Sequence, residues 1–199
     1  MSLFNNFQPS ELTLPGDKDS YSWFRQDAGR YLFQSTIDIY KNNFTGLLFV
    51  KPVGDSYRVL FITEMGIKIF DMEFFGDSDF KVHYCIEDLN RKAVINTLGN
   101  DLSLMLFNIA GKGKIKMMRE KKEGKLIIKS KDRFGTRYCT MNEHINKVEE
   151  LIKTGTFSNK VNIKFSGLAE PDSIIITHYN LKLKIQLTRL HELAAKIPE

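Results

Sequence analysis

Over residues 44–85 the chain reads FTGLLFVKPVGDSYRVLFITEMGIKIFDMEFFGDSDFKVHYC, with apolar and β-branched residues in short runs that each end on turn-forming residues. This is how consecutive antiparallel strands are written. The pattern predicts strands over 45–51, 57–63, 67–74 and 80–85. Their stops are Pro52-Val53-Gly54-Asp55, Glu64-Met65-Gly66 and Gly76-Asp77-Ser78-Asp79. Turns this short make sequence neighbours into sheet neighbours, so the stretch is a meander.

Alternation then assigns faces. Tyr57, Val59 and Phe61 share one, as do Lys68, Phe70, Met72 and Phe74, and likewise Phe80, Val82 and Tyr84. That face is paved with aromatic and methionine side chains. The other is not cleanly polar, because Leu60, Ile62, Ile67 and Ile69 also lie in the meander, so both sides of the sheet should be covered. Two readings follow from the pattern: an ordinary core packed under one or two helices, or a curved sheet whose concave face lines an apolar ligand cavity.

The same periodicity extends over the rest of the chain. Tyr31, Phe33, Ile37 and Ile39 alternate with polar residues and predict a strand over 31–40. After Cys85 the period changes. Asp88 or Asn90 can cap a short helix carrying Leu89, Ala93, Val94 and Leu98 that stops at Gly99-Asn100, where Gly99 could also act as a hinge. Asp101 can cap a second helix through Leu102, Met105 and Leu106. Two such helices are natural covers for an open sheet. Strands are predicted again over 114–119, 125–130, 136–141, 159–166, 173–178 and 181–190. Residues 144–153 fit either a strand or a helical face, and strand is preferred. A total of about ten or eleven strands is too many for a flat open sheet without strong curling.

Composition narrows the class. A chain of 199 residues fits one domain that can bury a core without disulfides. Residues 1–30 are polar and turn-rich around the aromatic cluster Tyr21, Trp23 and Phe24, and are expected to form a tether that docks on a domain spanning 31–192, with 193–199 as a tail. No run approaches the length of a membrane-spanning helix, and no secretory signal is visible. Cys85 and Cys139 match no metal spacing and could be two thiols or one bridge. The formal charge of +5 implies modest attraction to anionic partners.

The order of elements resembles the outer-membrane lipoprotein carrier and receptor proteins, the LolA/LolB-like family. The residues that carry the resemblance are Thr45-Gly46 at a strand start, the turn Gly54-Asp55 before Tyr57-Arg58, and Met65-Gly66 at the next turn, followed by the helical pair. The resemblance implies an α+β fold that is predominantly antiparallel β: a strongly curved, unclosed barrel lidded by short helices. It implies a cavity for lipid or lipoprotein acyl chains lined by Tyr57, Val59, Phe61, Phe70, Met72, Phe74, Val82 and Tyr84, closed by Val94, Leu98 and Met105 of the lid. It further implies non-enzymatic transfer of lipid or lipoprotein on the periplasmic side of the outer membrane, with any signal or lipidated cysteine outside this chain. Met65 stands where membrane-facing receptors of the family present an apolar side chain. In this sequence it could meet a bilayer or fold back on the sheet.

Other constellations point elsewhere less strongly. Asp71 and Glu73 share a strand face at a spacing suited to acid and base roles, yet no third residue supports catalysis, so no enzyme is expected. His83, His144, His178 and His191 show no metal-ligand spacing, and neither metal nor cofactor is expected. Gly111-Lys112-Gly113-Lys114 lacks the spacing of a phosphate loop. Lysines and arginines crowd residues 112–133, from Lys112 to Arg133. They read as a solvated edge, or as a docking surface for an anionic membrane or an acidic carrier protein. Without interleaved exposed aromatics they do not suggest nucleic acid. A monomer is expected. The alternative function is a structural or protein-binding β module with a filled core and no ligand.

Overall fold

A computed structural model describes residues 7–9, 21–76, 79–107, 115–121, 125–132, 135–142, 146–155, 159–179 and 181–191. The strands are β1 (Phe7–Pro9), β2 (Tyr31–Ile39), β3 (Asn42–Val53), β4 (Ser56–Thr63), β5 (Lys68–Gly76) and β6 (Asp79–Cys85). After a short 3-10 turn (Glu87–Leu89) and the helix α1 (Lys92–Leu106) come β7 (Ile115–Glu120), β8 (Leu126–Asp132), β9 (Gly135–Asn142), β10 (Lys147–Thr154), β11 (Asn159–Gly167), β12 (Pro171–His178) and β13 (Leu183–Arg189). Among the described residues these strands make one antiparallel sheet of thirteen, in the order β1-β7-β8-β9-β10-β11-β12-β13-β2-β3-β4-β5-β6.

Two meanders, β2 to β6 and β7 to β13, are thus joined side by side. The seam is the pairing of β13 with β2, which sets Leu183 opposite Ile39 and Arg189 opposite Phe33. β1 adds to the far side of β7 and β6 ends the other side, so the sheet is unclosed. β1, within the first thirty residues, is a strand beyond those expected, and the ambiguous segment before Thr154 is strand β10, as preferred.

Curvature follows from what the interior brings together. Trp23 stacks on Phe165 of β11 with centroids 6.2 Å apart, while its neighbour Phe24 packs edge-on against Tyr31 of β2 and Tyr57 of β4. β11 and β4 lie far apart in the sheet order, so adjacent residues can reach both only if the sheet wraps around them. Where β3 meets β4 the backbones come very close. A Cβ on Gly46 would lie 2.0 Å from the Ile62 carbonyl oxygen, beside a bulge in the pairing of β4 with β5, so only glycine fits.

The lid is one helix, not two. α1 runs unbroken through Gly99, which neither caps nor hinges: a Cβ there would fall 2.4 Å from the tip of the Phe80 ring. The missing side chain lets β6 lay Phe80 against the helix. Asp101 is likewise no cap. It sits mid-helix with 1% of its surface exposed. The N-terminal half of α1 shows an exposed side, whereas 101–106 are buried all round, the pattern of a helix end sunk into a core.

Candidate functional site

The concave face beneath α1 carries most of the residues expected to line a cavity. Val59, Phe61, Phe70, Met72 and Phe74 are fully buried, and Tyr57 nearly so. Pairing puts Val59 opposite Met72, Phe61 opposite Phe70 and Tyr57 opposite Phe74, which makes a contiguous apolar patch. From α1, Val94, Leu98 and Met105 bury against the same core, with Val82 half-buried beside it. Phe107, just past the helix, meets Tyr57 edge-on at 5.5 Å. Side chains with 0% exposure, such as Phe61 and Met72, border no space that water could enter, so in this conformation the patch is closed.

Tyr84 is placed differently. The pairing of β6 with β5 slips between Asp71 and Met72, leaving His83 as the extra residue of a bulge. Val82 opposite Met72 faces inward, while Tyr84 opposite Asp71 turns to the outer face and is 44% exposed. Lys68 moves outward in the same way, because Ile69 is the extra residue where β5 meets β4. Its Nζ lies 5.6 Å over the Tyr84 ring. Strict alternation cannot foresee such slips.

Polar ties hold α1 across the hollow. Ser103 Oγ donates to the Gly76 carbonyl on β5 at 2.9 Å, and His178 Nδ1 on β12 lies 3.1 Å from Asp101 Oδ2. Burial pushes the Asp101 carboxyl above its ordinary range, opposed by His178 and by the charge of Lys153. A charged residue among Leu98, Leu102 and Met105 on one helical face was the sequence signal for this buried contact.

The other side of the hollow is filled by residues 21–24. Trp23 Nε1 donates to the Val148 carbonyl at 2.6 Å, Tyr57 Oη to the Phe24 carbonyl at 3.0 Å, and Lys147 Nζ to the Ser22 carbonyl at 2.6 Å. Tyr21, Trp23 and Phe24 are all buried.

On the outer face, Asp71 and Glu73 form an ion network rather than an acid–base pair. Arg58 binds Asp71 through Nε and Nη2, with Lys68 3.6 Å from the same carboxylate. Glu73 accepts from Ser56 and lies 2.9 Å from His83 Nε2. The Arg58 hydrogen bond holds Asp71 below its ordinary range, and His83 and Ser56 do the same for Glu73. Both stay ionised at neutral pH, which unsuits them as general acids.

Met65 projects from the β4–β5 turn with 88% of its surface exposed, next to exposed Ile67. Because the strands alternate in direction, the turns after β2 and β12 lie at the same end, and they carry exposed Tyr40 and Tyr179. Cys85 and Cys139 are free thiols. Burial pushes Cys139 up to about 12 and raises Cys85 as well. Of the basic run, Lys116, Lys121, Lys125 and Lys131 are exposed, and Lys129 lies over the Tyr138 ring at 5.3 Å. Lys112, Lys114, Lys122 and Arg133 lie outside the described residues, as do His144 and the 111–114 stretch. No group of three or more His, Cys, Asp or Glu that could hold a metal ion occurs among the described residues.

No protein-family model matches the chain, and no curated protein matches it. Among solved structures it is similar to one described as an outer membrane lipoprotein-sorting protein domain from Vibrio parahaemolyticus. The identity is 10% and the TM-score 0.44, over 81% of this chain and 83% of that one.

Proposed function

We propose that this protein binds acyl chains of lipid or lipoprotein without converting them, between the concave sheet face and its covers, and serves lipid or lipoprotein transfer on the periplasmic side of the outer membrane. The observation that carries the reading is the make-up of the concave face: Phe61, Phe70, Met72 and Phe74, contiguous and apolar, covered by elements outside the sheet that are tied down by only a few polar links. Aromatic rings and flexible methionine suit a chain with no polar groups to recognise. Burial returns about 0.8 kcal/mol per methylene, so even part of one acyl chain offsets several kcal/mol of removal from a bilayer.

The closed patch is then the unloaded state. Loading requires a cover to move, since the interior side chains leave no room beside them. Met65 and Ile67, with Tyr40 and Tyr179 at the same end, form the surface offered to a bilayer, since tyrosine and exposed apolar side chains suit its interface. The lysines within residues 112–133 add attraction to an anionic surface or an acidic carrier protein.

A second reading is favoured by the same zero exposure: a structural or protein-binding β module whose core is permanently full. Native mass spectrometry and organic extraction of the purified protein, followed by incubation with palmitic acid, separate the two. Acyl binding predicts co-purifying lipid or a stoichiometric palmitate adduct. A protein that extracts clean and retains no palmitate is the structural module.

A further inference from the structure

Residues 21–24 sit where a guest would sit. Trp23 and Phe24 are each 2% exposed, yet they belong to no strand or helix. Their neighbours come from both meanders: Phe165 and Val148 for Trp23, and Tyr31, Phe33 and Tyr57 for Phe24. Ser22 Oγ also lies 3.4 Å from the Leu106 carbonyl at the end of α1. The segment therefore fills the hollow where β2, β4 and β10 begin, the end opposite the Met65 turn.

We infer that residues 21–24 are a displaceable plug, and that an acyl chain enters the site by taking their place; this rests on the acyl-binding reading above. Of the two covers, α1 is the poorer door, because its half next to the plug is buried on every side. The plug is built to leave. It is followed by exposed Arg25, Gln26 and Asp27 and by Gly29, around which a Cβ would meet nothing within 4 Å, so the link to β2 can swing without breaking a strand. β1, pinned to β7, and β2 hold the segment from both sides. Its local concentration therefore stays high and it returns when the guest departs.

The ties also indicate the head group. Two of the links run from sheet donors, Tyr57 Oη and Lys147 Nζ, to carbonyl oxygens of the plug. When the plug leaves, these donors pass to oxygen atoms of the guest. An acyl chain ending in a carboxylate, phosphate or ester matches both the apolar hollow and its donor-bearing mouth.

Trp23 is the only tryptophan in the chain, so its fluorescence reports the plug directly. Palmitic acid is titrated into the intact protein while its retention is followed by equilibrium dialysis. The expected result is a red-shifted Trp23 emission and a several-fold rise in acrylamide quenching, both saturating with retained palmitate. In parallel, the Trp23→Ala/Phe24→Ala variant should bind palmitate about tenfold tighter or more, because no fraction of it is self-occupied. Retained palmitate with unchanged Trp23 emission and quenching overturns the plug and leaves acyl binding standing. Retention by neither protein overturns the acyl reading, and the plug with it. If the variant proves unfolded, the wild-type fluorescence decides alone.

Discussion

His178 on β12 reaches across the hollow to Asp101 on α1, with Nδ1 3.1 Å from Oδ2, so the helix between the two meanders and a strand of the second share one largely buried polar contact. Burial raises the Asp101 carboxyl above its ordinary value of 3.8, while His178 from β12 and Lys153 from β10 act in the opposite direction. A carboxyl raised by folding favours the folded state at low pH, and that contribution fades as pH rises through the shifted value. Asp101→Asn cannot ionise. Its melting temperature relative to wild type should therefore improve from pH 4 to pH 8. An unchanged difference across that range would show that folding does not raise the pKa of this carboxyl.

Asp71 should behave in the reverse sense. Its folded pKa is lowered, chiefly by the Arg58 hydrogen bond, so its contribution is present above the ordinary value and lost as pH falls through the lower one. Asp71→Asn should cost about 1–2 kcal/mol at pH 7, limited by the solvent that reaches Arg58. The deficit should shrink towards pH 3. Urea unfolding at the two pH values reads both.

Gly46→Ala should destabilise by about 2 kcal/mol or more, since the obstacle at 2.0 Å is the Ile62 carbonyl and not a side chain that can turn aside. Chemical denaturation measures it. A neutral result would mean that β3 and β4 can separate at the bulge.

Met65→Asp should weaken association with vesicles containing anionic phosphatidylglycerol, while stability stays within about 0.5 kcal/mol because the side chain touches little of the fold. Vesicle flotation and thermal melts report the two effects. Equal flotation of variant and wild type removes Met65 from the membrane surface.

The strands were legible because alternation and turn residues agree: Gly54 and Gly66 occupy positive-φ positions in turns that the sequence marks plainly. What escaped was set by partners distant in sequence. The one-residue slip at His83 depends on how β5 presents itself, and it turns Tyr84 outward against the local period. Gly99 looks like a helix stop until Phe80 is known to lie on it. The Tyr21-Ser22-Trp23-Phe24 cluster could be read as docking residues, but nothing in it says that Val148 and Tyr57 receive it on opposite walls. Asp101 and His178 are separated by 77 positions, and only the wrap of the sheet introduces them.

The seam between β13 and β2 bears on how the molecule is made. On the ribosome, β2 is made well before its partner Leu183–Arg189, about 150 residues further along the chain. At elongation rates of about 5–20 residues per second the bare flank of β2 waits about 7–30 s for it. For that time the strand edge of a nascent chain is unsatisfied and open to misassociation, which ends only when β13 pairs with it.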